Sequence, residues 1–445
     1  MISGFRATCL LSAFLSLGLC GELQAQAIRG PIISQGTALR YGLEREWFTQ
    51  VELDRSRSRV QHIFQSRDTL FVQTDRGVIH ALDAETGRTE WRRGVGNPDY
   101  PSLGSAANDK VLAVVNGSTL YVIDRNSGRQ LWDRSLGTVP GAGPAVTAER
   151  VFVPMVNGRI ESYEIEDQYG PPWMYWSDGR AMVQPITSKQ SVAWPTSQGY
   201  FYVGRAVNPI IRFRVETDDE IISQPAYGKP YFYAGSMDGY VYAVHEQSGN
   251  QRWRFSTGDP ISSSPVVIDD RVYVATDRGG MYCIDSQSGD EIWWAPRVER
   301  FLSASPTRIF GADRFGRIFI LDAKTGGRLG ILQTAGINLY HINHRSDRIY
   351  LGSDTGILQC LHDVDLDQPV YHNLSNDTDE VEDEAKAGAV AEAPEKKEQP
   401  APLDPDNPFA AGGGGEKPQE DDNPFGGGND DPFGGAGGGD DNPFN

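Results

Sequence analysis

Only four cysteines occur in 445 residues, which excludes a disulfide-built scaffold, because small stapled domains carry them at far higher density. Long apolar runs are equally scarce. Outside one N-terminal stretch, nothing approaches the roughly 20 residues a membrane-crossing helix requires, so a polytopic membrane protein is excluded as well. Basic side chains are in deficit, 41 against 60 acidic for a formal net charge of −19. A nucleic-acid binder needs clustered Lys and Arg for the phosphates, and the balance points away from one. The 50 glycines keep no period of three, so a collagen-like fibre is out.

The charge is unevenly placed. From Asp363 to Asn445 there is no arginine, and 22 acidic residues face 4 lysines, whereas residues 28–362 hold 36 basic and 37 acidic ones. A near-neutral globular body, residues 28–372, therefore precedes an acidic tail over 373–445. The stretch from Asp363 onward holds 13 Gly and 10 Pro, a composition expected to be disordered because it buries too little apolar surface to offset ordering entropy. Residues 1–27 read as an export signal: Arg6, a largely apolar run from Ala7 to Leu19, then small residues at Ala25 and Ala27. A lipid anchor is not expected, since Leu19 stands where a lipoprotein needs a small residue before Cys20. Cys283 and Cys360 then remain, each expected to be buried singly.

What the body does have is a repeat. The stretch Asp75-Arg-Gly77 to Thr86-Gly87 to Trp91 returns around Ser118, Ser127-Gly128 and Trp132, and again through Gly249 to Trp253 and Gly289 to Trp293. Anchored on the turn residue, the series is Gly77, Ser118, Gly158, Gly199, Gly239, Gly279, Gly316 and Gly356, in steps of 37 to 41 residues. Each unit reads as strands of period two with Ser-Gly or Thr-Gly turn chemistry between them. Trp91, Trp132, Trp253 and Trp293 fall fourteen residues past their anchors, and Phe213 holds that place in the fourth unit. Pro144, Pro185, Pro225, Pro265 and Pro306 form a second ruler, read as first residues of strands.

A four-stranded sheet of about 40 residues cannot cover both of its own faces. Eight such units stacked radially can, with each indole buried between neighbours. The expectation is an all-β fold: an eight-bladed β-propeller of four-stranded antiparallel blades. The last unit lacks the Gly-x-x-x-Trp element, and Glu44 to Val51, containing Trp47, reads as the missing outer strand; Val370 is the competing candidate.

These residues carry a resemblance. The Asp-x-Gly-x-hydrophobic-Tyr-Ala-hydrophobic-Asp-x-x-Ser-Gly-x-x-x-Trp unit resembles the pyrroloquinoline-quinone (PQQ) repeat, shared by quinoprotein dehydrogenases and the outer-membrane assembly factor BamB. The repeat implies a fold and leaves a cofactor open. Alcohol dehydrogenases of the group carry a vicinal Cys pair and a calcium set, and here no two cysteines adjoin. Asp83, Asp124, Asp285 and Asp322 each lie six past an anchor, the mark of a structural turn. His245 and His362 replace that Asp, and His341 and His344, three apart on an expected strand, point to opposite faces and make no metal pair. No catalytic, metal or cofactor residue is therefore expected; PQQ with calcium is the alternative.

Binding candidates lie where the rhythm breaks. Trp173, Tyr175 and Trp176 interrupt the third unit, and aromatic anchors of this kind suit partner surfaces; the competing reading makes Trp173 a displaced docking indole. In the tail, Phe409, Phe425, Phe433 and Phe444 each close an Asp-Asn-Pro-Phe or Asp-Asp-Pro-Phe element, repeated docking points on a flexible string. The sequence reads as a non-enzymatic, exported, monomeric scaffold at the periplasm or outer-membrane periphery, peripheral to the membrane at most, binding envelope proteins in a BamB-like assembly role. The alternatives are a PQQ-dependent oxidoreductase or ligand sensor, and a binder of surface carbohydrate.

Overall fold

The computed structural model describes residues 31–372. Residues 1–27, read above as an export signal, and the tail 373–445, with its four phenylalanines, lie outside the described residues. Eight four-stranded antiparallel sheets follow in order: 60–94, 106–135, 145–176, 186–216, 226–256, 266–296 and 300–332 form blades 1 to 7. Blade 8 joins three strands from 339–363 to Leu43–Gln50 as its outermost strand. The N-terminal strand thus closes the ring, Trp47 pairing with Cys360. Val370 takes another course, its N–H donating to Asp347 Oδ1 at 2.9 Å.

The alternating segments are buried on both faces rather than one. Val241, Tyr242, Ala243 and Val244 are all 4% exposed or less, because each blade is sandwiched between two others. The proline ruler holds for Pro144, Pro185, Pro225 and Pro265, each immediately before an innermost strand, but Pro306 sits in the turn after the innermost strand of blade 7. Shortening of the seventh unit brings it out of phase.

A bulge recurs where the outer strand meets the third, between Ala81/Leu82, Val122/Ile123, Val203/Gly204, Ala243/Val244, Cys283/Ile284 and Ile320/Leu321. The extra residue re-aims the side chain beside it toward the next blade. Five indoles use this or the equivalent bulge of blade 8: Trp47, Trp91, Trp132, Trp253 and Trp293 donate Nε1–H to the carbonyls of Ala84, Arg125, Ile165, Ser286 and Ala323 at 2.8–3.1 Å. Each accepting residue begins a turn in the following blade. In that turn Gly87, Gly128, Gly249 and Gly289 have φ of +66 to +73° or, for Gly289, +79°, and a Cβ there would lie 2.5–2.6 Å from the ring of Trp47, Trp91, Phe213 or Trp253. Glycine is required twice over, by conformation and by contact.

The repeated aspartates are turn residues. Asp83, Asp124, Asp285 and Asp322 each accept from the N–H three residues on, at 2.7–2.8 Å. The Ser127 hydroxyl bond first, then backbone bonds, hold the Asp124 carboxyl below its usual range. His245 substitutes through Nδ1, accepting from Ser248 N–H at 3.2 Å.

Candidate protein-binding surface

Turns between second and third strands, together with the loops from one blade's outer strand to the next blade's innermost, form one face of the ring, here called upper. Four of these loops are hooked to their own blade alike. The N–H groups of Val156, Ser197, Met237 and Asp277 donate to the carbonyls of Val139, Arg180, Glu220 and Pro260, each at 3.0 Å. The next residue, Pro140, Ala181, Ile221 or Ile261, is buried as a peg. The one after it faces solvent, and in the two middle loops it is Met182 and Ile222, 49% and 43% exposed. In the loop entering blade 3, Val139 is 63% exposed. A Cβ on Gly141 would lie 3.4 Å from the Met182 Cα, so the loops of blades 3 and 4 touch.

Exposed Asp218, Asp219 and Glu220 flank this apolar rim. They sit on a fixed backbone: Asp218 N–H donates to Asp238 Oδ2 at 3.1 Å, and the same oxygen accepts from Tyr242 at 2.7 Å. A backbone pegged in this way adds little ordering cost of its own when a partner binds. The sequence reading missed the rim because Met182 and Ile222 look like ordinary core residues; only their position two past a loop hook marks them.

The aromatic candidates of blade 3 are separated by the fold. Tyr175 is a correction, for it is 1% exposed and donates to the carbonyls of Arg205 and Asn208 at 2.6 and 3.1 Å, docking blade 3 on blade 4. Burial pushes its phenol up to about 12. Blade 3 lacks the bulge, so Trp173 pairs with Ser162 in the docking register while Tyr175 carries the contact to the next blade. Trp173 is half-buried, the Arg150 guanidinium lying 3.4 Å from its ring centroid. Trp176 alone of the three is open, 64% exposed, with Arg159 5.0 Å over its ring.

The vicinal cysteine pair of the quinoprotein alcohol dehydrogenases has no counterpart among the described residues. Cys283 and Cys360 are free, buried and in blades 6 and 8, and burial pushes the Cys283 thiol up to about 12. No three His, Cys, Asp or Glu side chains converge as a metal site among the described residues. His341 is a second correction: it lies in the loop 341–348 rather than on a strand, its Nδ1 3.2 Å from the Ile63 carbonyl. No helix among the described residues is long and apolar enough to cross a membrane.

A family model described as outer membrane protein assembly factor BamB matches residues 47–99, 76–206 and 237–361. The chain belongs to the BamB family. The PQQ-repeat character read from the sequence is thereby established, and the matched ranges leave out 207–236, which holds Phe213 and Ile222. The crystal structure of BamB from Moraxella catarrhalis is similar at a TM-score of 0.58 and 18% identity, over 72% of this chain and 97% of that one. A computationally designed protein, Ika8, is similar at 0.59 and 14% identity, over 69% and 96%. At these identities the likeness is one of fold. No curated protein matches the sequence.

Proposed function

We propose that this BamB-family propeller is a non-enzymatic, exported scaffold that holds a protein partner of the cell envelope on its upper face and serves outer-membrane protein assembly. The observation that carries the reading is the pegged rim of Val139, Met182 and Ile222 beside Asp218, Asp219 and Glu220. Exposed apolar side chains on loops whose backbone is already held, with carboxylates next to Ile222, offer a partner a contact that needs little reordering. The partner segment is apolar with basic flanks.

A photo-reactive residue placed at Met182 in the exported protein should trap one envelope protein, and the same probe at Leu131, on the outer edge of blade 2, should not. Met182→Glu with Ile222→Glu should weaken capture at least about tenfold with the circular dichroism unchanged. Equal trapping from both positions would remove the support for a specific surface. Dye-linked oxidation after addition of PQQ and calcium would overturn the non-enzymatic part.

A further inference from the structure

The opposite, lower face holds a feature the scaffold reading does not use. After its last strand the chain does not leave blade 8; residues 364–372 turn inward beneath it. Asp347 N–H donates to the Val370 carbonyl at 3.1 Å, Val370 N–H returns the bond to Asp347 Oδ1 at 2.9 Å, and His372 N–H donates to the Arg345 carbonyl at 2.9 Å. The segment ends as one wall of a cavity of about 360 Å³ against Asp269, Arg271, Ser305 and Lys324 of blades 6 and 7.

Arg348 is the centre of this arrangement. It is fully buried, yet it donates to the strap carbonyls of Leu366 and Asp367 at 3.0 and 2.8 Å. Its Nη1 also lies 3.4 Å from Asp347, and its Nε donates at 3.3 Å to Glu85, in the turn of blade 1 that receives Trp47. A buried guanidinium persists only where carboxylates and carbonyls satisfy it, and removing any of them leaves it stranded. One side chain therefore ties blade 8, blade 1 and the strap together at the seam where the ring closes.

We propose that residues 364–372 are a releasable latch on the ring-closing seam and the lid of the lower cavity, with Arg348 as its bolt. Release of the strap withdraws two of the arginine's acceptors and loosens its hold on Glu85, so the seam between blades 8 and 1 opens locally while the other blades stay closed. Local opening of one contiguous unit is what native-state exchange resolves.

Hydrogen exchange on the full exported chain tests this. Arg348→Met should raise exchange at least tenfold in peptides covering 43–50, 82–90 and 364–372, leaving blades 3 to 5 unchanged. Should that variant fail to fold, Glu85→Gln keeps the arginine and the strap and should speed exchange in 82–90 and 364–372 together. Strap amides that already exchange at unprotected rates in the parent, a rise spread evenly over all blades, or a Glu85→Gln effect confined to 82–90 would each overturn the proposal.

Discussion

At the scale of the residue, stability rests on an indole meeting a glycine across a blade boundary. Trp253 is 8% exposed, its Nε1–H bonded to Ser286 and its ring against Gly289. Replacing it with alanine removes the bond and leaves a cavity, so Trp253→Ala should lower stability by about 3–5 kcal/mol, read as a fall in the urea midpoint. Gly289→Ala should cost about 1–3 kcal/mol, since the methyl meets the ring in a left-handed backbone. Burial, reinforced by Arg92 nearby and opposed by Glu52, lowers His80 to about 4 from the usual 6.5. The unfolded chain therefore takes up this proton first as pH falls. The stability His80 contributes is present above pH 6.5 and is lost between there and about 4, at up to about 1.4 kcal/mol per pH unit. Denaturation midpoints measured across that window should fall, and fall less in His80→Gln.

At the scale of the element, the seam after blade 7 is packed from outside the blade. Fourteen past its anchor, blade 7 has Gly330 where blades 1, 2, 4, 5 and 6 have an aromatic, and a Cβ there would lie 3.2 Å from the Tyr41 ring. Tyr41, with Ile33, Ala38 and Leu43 around the short helix Gln35–Leu39, packs that junction instead. Deleting residues 31–50 should therefore open two seams together, and Cys360, fully buried opposite Trp47, should become reactive to thiol reagents within minutes while Cys283 stays protected. The blade count and the docking indoles were legible in the sequence because each recurs at a fixed interval; the closing strand was narrowed to residues 44–51 or the Val370 segment because the last unit lacks its Gly-x-x-x-Trp element. Tyr41, Tyr175 and the Met182–Ile222 rim were not, because each acts through a displaced register or a loop hook that leaves no period. The missing aromatic at Gly330 was the one available sign of the first.

At the scale of the whole molecule, the proposed binding rim and the strap 364–372 lie on opposite faces. The upper rim is apolar and acidic, so binding to a basic partner should weaken as salt rises from about 0.05 to 0.5 M through screening of Asp218, Asp219 and Glu220, while the Met182 contact persists. Titration at two ionic strengths separates the contributions, and Asp219→Asn with Glu220→Gln should flatten the salt dependence. The two ends of the described chain add a consequence of their own. Pro31 lies beside Gly336 in an upper-face loop, its carbonyl accepting from Gln359 at 2.9 Å, whereas His372 departs from the lower face. The two ends of the described chain therefore leave a known face each: a reporter joined just ahead of Pro31 starts on the face that carries the rim, and one joined just past His372 starts on the other.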